Sequence, residues 1–130
     1  MKMNRSHRRR GAAVVEAAIA LPVVLIIILG TVEVCNGIFL KQSMLLMAFE
    51  GARVAISPEA TAEDVAQQIN EMGTERGIAI DTVEVIPSDF ASTPLGTFIE
   101  VVVTSKAQQP GKTQFFSNAK SSVSVFIMKE

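Results

Sequence analysis

Glu16 is the side chain whose position in this sequence most needs a chemical explanation. It lies near the start of a long apolar run, where an ionised carboxylate costs free energy unless a cation accompanies it. Gly11 lies five residues earlier, directly after the basic cluster Arg8–Arg10. Cleavage of the peptide bond between Gly11 and Ala12 would create an ammonium group four residues before Glu16, on the same face of a helix. We therefore predict processing at Gly11–Ala12 and a charge-pairing role for Glu16.

The junction also allows simpler interpretations, which stay open at this point. Gly11 is flexible, which would let a peptidase bind the chain in extended form, and negative charge at Glu16 is favourable in the first turn of a helix that starts at Ala12. The simpler alternative for Glu16 is an interfacial acid that reaches the lipid headgroups. The Arg8–Arg10 cluster is compatible with a topology signal, and nucleic-acid binding by so short a tail is a weaker alternative.

The rest of the sequence contains no group of residues that predicts an enzyme. Cys35 is the single cysteine and His7 the single histidine, so neither an intrachain disulfide nor a Cys/His zinc site is expected. There is no Gly-rich phosphate loop and no nucleophile motif. Trp and Tyr are absent, which disfavours a surface that stacks nucleic-acid bases. We predict no catalytic, cofactor-binding or metal site, and neither a small-molecule substrate nor a nucleic-acid partner.

The element that carries the junction is predicted to be a membrane helix. Ala17–Val32 is a run of 16 residues without a charge, and Ala12–Val15 extends the apolar stretch backward. About 20 helical residues, each rising about 1.5 Å, match the hydrocarbon core of a bilayer. A buried core helix is the alternative, but a chain of 130 residues leaves too little sequence to surround it. We assign residues 12–40 to a transmembrane helix.

The charges on either side of this helix predict its orientation. Residues 1–10 carry five Lys or Arg and no acid, whereas the remainder holds 7 basic and 13 acidic side chains, a net charge of −6. Basic flanks stay in the cytoplasm, so we expect residues 1–11 inside and residues 41–130 outside the inner membrane. No small-residue cleavage site follows the apolar run, which argues against an ordinary secretory signal.

The segment from Arg8 to Arg53 resembles the TadE-like proteins of tight-adherence (Flp) pilus systems, within the larger group of type IV-type prepilins. The resemblance rests on Gly11 with Glu16 five residues later, on Pro22, and on the Glu-Gly-Ala-Arg run that ends at Arg53. Ala17 departs from the pattern, because the major Flp pilins and their relatives often carry an aromatic residue after the glutamate. The resemblance implies that a membrane prepilin peptidase removes residues 1–11 at the cytoplasmic face. An unpaired ammonium on Ala12 would be costly in a water-poor helical bundle, so we also predict that Glu16 serves assembly more than processing or insertion.

Residues 41–130 are predicted to form a small α+β body outside the membrane. The long helix continues through 38–56, with Met44, Leu45, Met47 and Phe49 supplying apolar contacts. A short helix follows, with Thr61 as its N-cap, Asp64 at the capping-box position and Gly73 at its end. The acids Glu63, Asp64, Glu71 and Glu75 are expected on its solvated face. Strands are predicted over 82–86, 97–105 and 122–128, with loops over 87–96 and 106–121.

We thus expect an α+β, pilin-like chain, in which a long N-terminal transmembrane helix precedes a short helix and a small antiparallel sheet. The favoured function is a minor pilin or pseudopilin that contributes to Flp pilus assembly, with the membrane, the prepilin peptidase, other pilins and the assembly machinery as partners. The alternatives are an uncleaved single-pass assembly factor of the same apparatus and an unrelated membrane-tethered binding module.

Overall fold

The computed structural model confirms the predicted α+β class and order of elements. It describes residues 5–106 and 120–129, with side chains described from Gly11 onward. Contacts divide the chain into two compact units, residues 1–36 and 37–130, and we call the second unit the body. The elements are α1 (Arg5–Ala55), α2 (Ala62–Glu75), β1 (Ile80–Ile86), β2 (Phe98–Ser105) and β3 (Ser122–Met128).

The core of the body lies between one stripe of α1 and the inner face of the sheet. The stripe recurs every three or four residues, the spacing of one helix face. It consists of Leu40, Met44, Met47, Ala48, Ala52 and Ala55, which pack with Ile99, Val101, Val103 and Val123. Leu40, the last residue assigned to the span, therefore belongs to the core of the body. Leu45 and Phe49 were predicted to supply apolar contacts as well, but they point away from this core and are half exposed.

The sheet is antiparallel with the order β1-β2-β3. The central strand β2 alternates between buried and less buried residues, the pattern of a sheet with one covered face. Strand β3 has the predicted bounds, and β1 begins two residues earlier than predicted. A register shift between Ile80 and Thr82 interrupts the alternation there, which explains why the sequence pattern missed the start of β1. The predicted loop over 106–121 lies mostly outside the described residues.

Helix α2 begins as predicted and ends later. The Thr61 hydroxyl accepts a hydrogen bond from the Asp64 backbone N–H (3.2 Å), and Asp64 Oδ2 accepts from the Thr61 backbone N–H (2.8 Å). The predicted end at Gly73 is wrong, because the helix continues to Glu75 and the positive φ of 65° falls on Gly77. Gly73 has a packing role instead, since a Cβ there would lie 3.0 Å from the carbonyl oxygen of Ile78. The four acids of α2 are exposed, as expected.

A glycine of α1 lies directly against α2. Gly51 is buried, and a Cβ built on it would lie 2.5 Å from Cδ1 and 2.9 Å from Cγ1 of Ile69. Val65 also lies close, at 3.3 Å from the same position. Val65 and Ile69 are both completely buried, so a side chain at position 51 would have to displace Ile69 inside the packed core. The contact between the helices therefore favours glycine at position 51.

The loop after β1 is fixed to the end of β3 by a buried lysine. Lys129 Nζ donates hydrogen bonds to the backbone carbonyls of Phe90 (3.0 Å), Ala91 (2.8 Å) and Thr93 (3.2 Å). Phe90 is itself buried in the core. An ammonium has three donors, and the three carbonyls accept all of them. This satisfies the buried charge and holds the predicted loop 87–96 in place.

Substitution of Gly51 by Ala should destabilise the body. The added Cβ overlaps Ile69, and overpacking of a closed core typically costs about 1–3 kcal/mol. Gly37 provides a matched control in the same helix, because a Cβ there meets no atom within 4 Å. Gly37→Ala should instead stabilise the helix by about 0.5–1 kcal/mol. Thermal unfolding of the full chain in detergent micelles measures both changes. Equal effects of the two substitutions would contradict the assignment of Gly51 to the helix contact.

The cap of α2 should make stability depend on pH in the acid range. The Thr61 hydroxyl, followed by the Thr61 backbone N–H, donates to the ionised Asp64 and lowers the pKa of its carboxyl. A group whose pKa is lower in the folded state stabilises it above the unfolded pKa, and this contribution is lost as pH falls through the folded pKa. The unfolding temperature of wild type should therefore exceed that of Asp64→Asn at pH 7, and the difference should shrink below about pH 4. A difference that stays constant down to the lowest pH measured would refute this role of the cap.

Candidate functional site at the N-terminal junction of α1

The residues predicted for processing and assembly all lie within helix α1. Gly11, Ala12 and Glu16 are exposed, and Ala12 and Glu16 are four residues apart on one helix face. The sequence assigned the membrane helix from residue 12, whereas α1 already begins at Arg5 and includes Gly11. A glycine inside a helix costs only about 1 kcal/mol relative to alanine, which the helix-favouring Arg and Ala neighbours offset. Within the described part of the chain, Glu16 makes no hydrogen bond or ion pair.

The apolar segment after the junction has no cover from the described residues. Its large apolar side chains from Val14 to Leu29 are between 39% and 68% exposed. The most apolar window of 18 residues has a mean hydropathy of 2.8, and none of it is buried. By length and composition, α1 can therefore cross a membrane. This exposure distinguishes it from the core helix of a soluble domain, whose apolar side chains are mostly buried.

Pro22 and Thr31 both affect hydrogen bonding in this segment, and both are compatible with apolar surroundings. Pro22 lies inside the helix, where it removes one backbone donor, and such prolines are tolerated in membrane helices. The hydroxyl of Thr31 donates to the backbone carbonyl of Ile27 at 2.8 Å, so the side chain meets its own hydrogen-bonding need within the helix. Neither feature requires water around this part of α1.

The Glu-Gly-Ala-Arg run at the other end of the motif region has a structural explanation. Gly51 faces α2, and Ala52 is completely buried in the core of the body. Glu50 and Arg53 point outward and form an ion pair of 3.8 Å between Oε2 and a guanidinium nitrogen, with the Arg53 side chain 69% exposed. Such an exposed pair contributes little to stability. The two small residues of the run therefore carry its packing role.

The described residues contain no group of three or more His, Cys, Asp or Glu side chains placed to hold a metal ion. Cys35 is exposed and forms no disulfide within the chain. The geometry around the junction offers a carboxylate and an apolar surface on a continuous helix. These are groups suited to contacts with a membrane and with other helices.

Residues 11–53 match the family model for TadE-like proteins. We call them the TadE-like segment. The match covers the junction, the apolar segment and the Glu-Gly-Ala-Arg run, which are the features that predicted this family. TadE-like proteins are associated with Tad pilus systems and are not an enzyme family. Neither a curated protein nor a solved structure matches the chain significantly.

Sequence reasoning identified the two ends of the TadE-like segment but not the role of each residue in it. In the sequence the Glu-Gly-Ala-Arg run contributed only to the family resemblance, whereas in the structure Gly51 and Ala52 carry the packing. A glycine in the middle of an amphipathic helix was the available signal, because glycine weakens a helix unless a close contact requires it. No sequence signal distinguishes Lys129 from an ordinary surface lysine.

Proposed function

We propose that this chain is a minor pilin or pseudopilin that contributes to the assembly of Flp-type pili. The observation that carries the proposal is the TadE-like match, which begins at Gly11 and includes the whole apolar segment. The exposure of that segment supports it, since an apolar surface of this size requires lipid or other helices as cover. The α+β body supplies a folded domain, with no metal cluster among its described residues.

In this proposal the subunit is anchored in the inner membrane before assembly. The apolar segment spans the bilayer once, and the basic residues 1–10 hold the N-terminus in the cytoplasm. The body lies outside, where it is available to other subunits. A prepilin peptidase at the cytoplasmic face removes residues 1–11 and leaves Ala12 as the new N-terminus.

Processing gives Glu16 a partner. The new ammonium of Ala12 and the carboxylate of Glu16 are four residues apart in α1, close enough to pair within one chain. The same carboxylate can pair with the ammonium of a neighbouring subunit whose helix packs alongside. In a water-poor bundle an unpaired charge is costly, and removal of one member of a buried pair typically costs about 3–5 kcal/mol. The pairing therefore favours docking of processed subunits.

A second candidate is an assembly factor of the same apparatus that stays anchored and uncleaved. One observation favours it: α1 continues through Gly11 as a helix, so the junction is not extended in the intact chain. A peptidase would have to unwind about two turns of helix before cleavage. A membrane-tethered binding module unrelated to pili is a third hypothesis, and the TadE-like match gives it no support.

Gly11→Leu should block leader removal, because the bulky side chain occupies the position next to the cleaved bond. Wild type produced with an active prepilin peptidase should then have the mass of a chain that starts at Ala12, and the variant the mass of the full 130 residues. Gly37→Leu is the matched control and should be processed normally. Intact-mass spectrometry of the purified proteins measures the outcome. Identical masses for wild type and Gly11→Leu would exclude cleavage at this bond and favour the anchored assembly factor.

Glu16→Ala should enter the membrane and be processed normally but fail to support pili. Loss of the carboxylate makes insertion no less favourable, since a charge within the membrane costs free energy. What the variant loses is the partner for the Ala12 ammonium during docking. Three measurements on one strain test this: the amount in the membrane fraction, the N-terminal mass and the number of surface fibres.

Glu16→Asp is the conservative control, because it keeps the charge and should restore at least part of the fibre count. A normal fibre count from Glu16→Ala would reduce Glu16 to an interfacial acid that contacts lipid headgroups. It would also remove the main physical argument for assembly of the pilin type.

A further inference from the structure

One face of α1 in the body stays uncovered although it carries apolar side chains. Ile38, Leu45 and Phe49 are 53%, 49% and 50% exposed, and Gln42 is exposed between them. With about 3.6 residues per turn, these positions lie on the side of α1 away from the core stripe of the body. We call the four residues the seam.

The seam has the spacing of a coiled-coil contact. Its members follow one another at intervals of four, three and four residues, which are the a and d positions of a seven-residue repeat. Gly37 and Lys41 lie on one flank of the seam, and the half-exposed Phe39 and Leu46 on the other. The seam ends at Phe49, because the next position in the repeat, Ala52, is buried in the core.

In the sequence the repeat extends backward from the seam into the apolar segment. The a positions are Val14, Leu21, Ile28, Cys35, Gln42 and Phe49, and the d positions are Ala17, Val24, Thr31, Ile38 and Leu45. None of these residues is charged. Within the apolar segment every face of the helix is apolar, so the repeat there does not single out one face. Only the four residues of the seam mark one face of α1 as a contact surface.

We propose that α1 pairs with α1 of a second copy of this chain, parallel and in register, through the seam. The proposal rests on membrane insertion, which is part of the proposed function. All copies of one chain insert in the same direction and to the same depth, so each seam residue meets the same residue of the partner. The uncharged seam allows this without repulsion between like charges, and the two Gln42 side chains can hydrogen-bond to each other. A single polar a position of this kind fixes the register of a coiled coil.

The surface beside the seam can receive the partner's side chains. Gln42, Leu45, Leu46 and Phe49 line a groove of about 380 Å³ together with Val125 of β3. Side chains from a and d positions fill such spaces in coiled coils. Four seam residues bury less than the roughly 800 Å² per partner of a stable interface between free proteins. A shared membrane raises the effective concentration, so a smaller contact suffices there.

This pairing differs from a contact between successive subunits of a fibre. A two-fold contact places the same residue of both copies together, whereas a head-to-tail contact joins different residues. A single cysteine at a seam position therefore forms a disulfide with the same cysteine of a second copy only in the two-fold arrangement. Disulfide formation by single-cysteine variants can thus distinguish the two kinds of contact.

The full chain carrying Cys35→Ser is produced in the membrane of a host without other pilus proteins, and one cysteine is introduced at a time. Under mild oxidation, Leu45→Cys and Gln42→Cys should give dimers for about half of the protein or more, as expected for a and d positions that meet across the seam. Gln67→Cys, an exposed control on α2, should give about a fifth of that amount or less. Addition of Gln42→Glu to Leu45→Cys should lower the dimer at least about fivefold, because two carboxylates then meet at the seam. Addition of Gln67→Glu to Leu45→Cys should leave the amount of dimer unchanged.

Labelling with a maleimide shows that each cysteine is reactive, and sedimentation shows that the protein is in the membrane. Reactive Leu45→Cys in the membrane that gives no more dimer than Gln67→Cys would overturn the pairing and leave the proposed function intact. Dimers that persist with Gln42→Glu would also overturn it. Absence of the protein from the membrane would overturn both the pairing and the proposed function.

Discussion

The apolar surface of α1 has to be removed from water, and the chain does this itself along only part of the helix. From Leu40 to Ala55 the sheet and α2 cover one face, and the buried residues there contact Ile99, Val101 and Val103. From Val14 to Leu29 the described chain covers nothing. Transfer of this surface from water to an apolar environment is favourable by about 25 cal/mol for each Å². The segment therefore needs an apolar environment outside its own chain.

This constraint explains why one helix carries two different kinds of sequence. The part within the body uses small residues on its packed face, with Gly51 allowing close approach of α2 and Ala48 and Ala52 facing the core. The apolar segment instead uses large side chains on every face, which suits lipid or neighbouring helices. The charges follow the same division, since Glu16 lies where the apolar run begins and Lys41 where it has ended. In the proposed function, lipid covers the segment first and other subunits replace it on assembly.

Much of this arrangement follows from the sequence because it depends on local patterns. Alternation of β-branched residues predicted β2 and β3 nearly to the residue, and the Thr61–Asp64 capping box predicted the start of α2. The end of α2 was missed because Gly73 was interpreted as a stop signal, whereas its small size serves a tertiary contact with Ile78. The three carbonyls around Lys129 come from a loop almost 40 residues earlier in the chain. No local pattern predicts a contact of that kind.

The same distinction applies to the candidate site. Gly11, Ala12 and Glu16 were found from residue type and spacing, and the TadE-like match covers all three. The start of α1 at Arg5 was not expected, because the sequence assigned the helix from residue 12. The exposed side of Leu45 and Phe49 was not expected either, since both are as apolar as Met44 and Met47. Only the path of the chain around α1 decides which of these side chains is covered.

Cysteine accessibility across the inner membrane tests the central claim most directly. In a Cys35→Ser background, single cysteines replace Ile26 in the apolar segment and Glu59 in the body, both exposed in the isolated chain. A maleimide that cannot cross membranes is added to cells whose outer barrier has been opened. Our account predicts labelling at position 59 and protection at position 26 until detergent dissolves the membrane. Labelling at position 26 in intact membranes, or labelling at position 59 only after they are dissolved, would contradict a single span with the body outside.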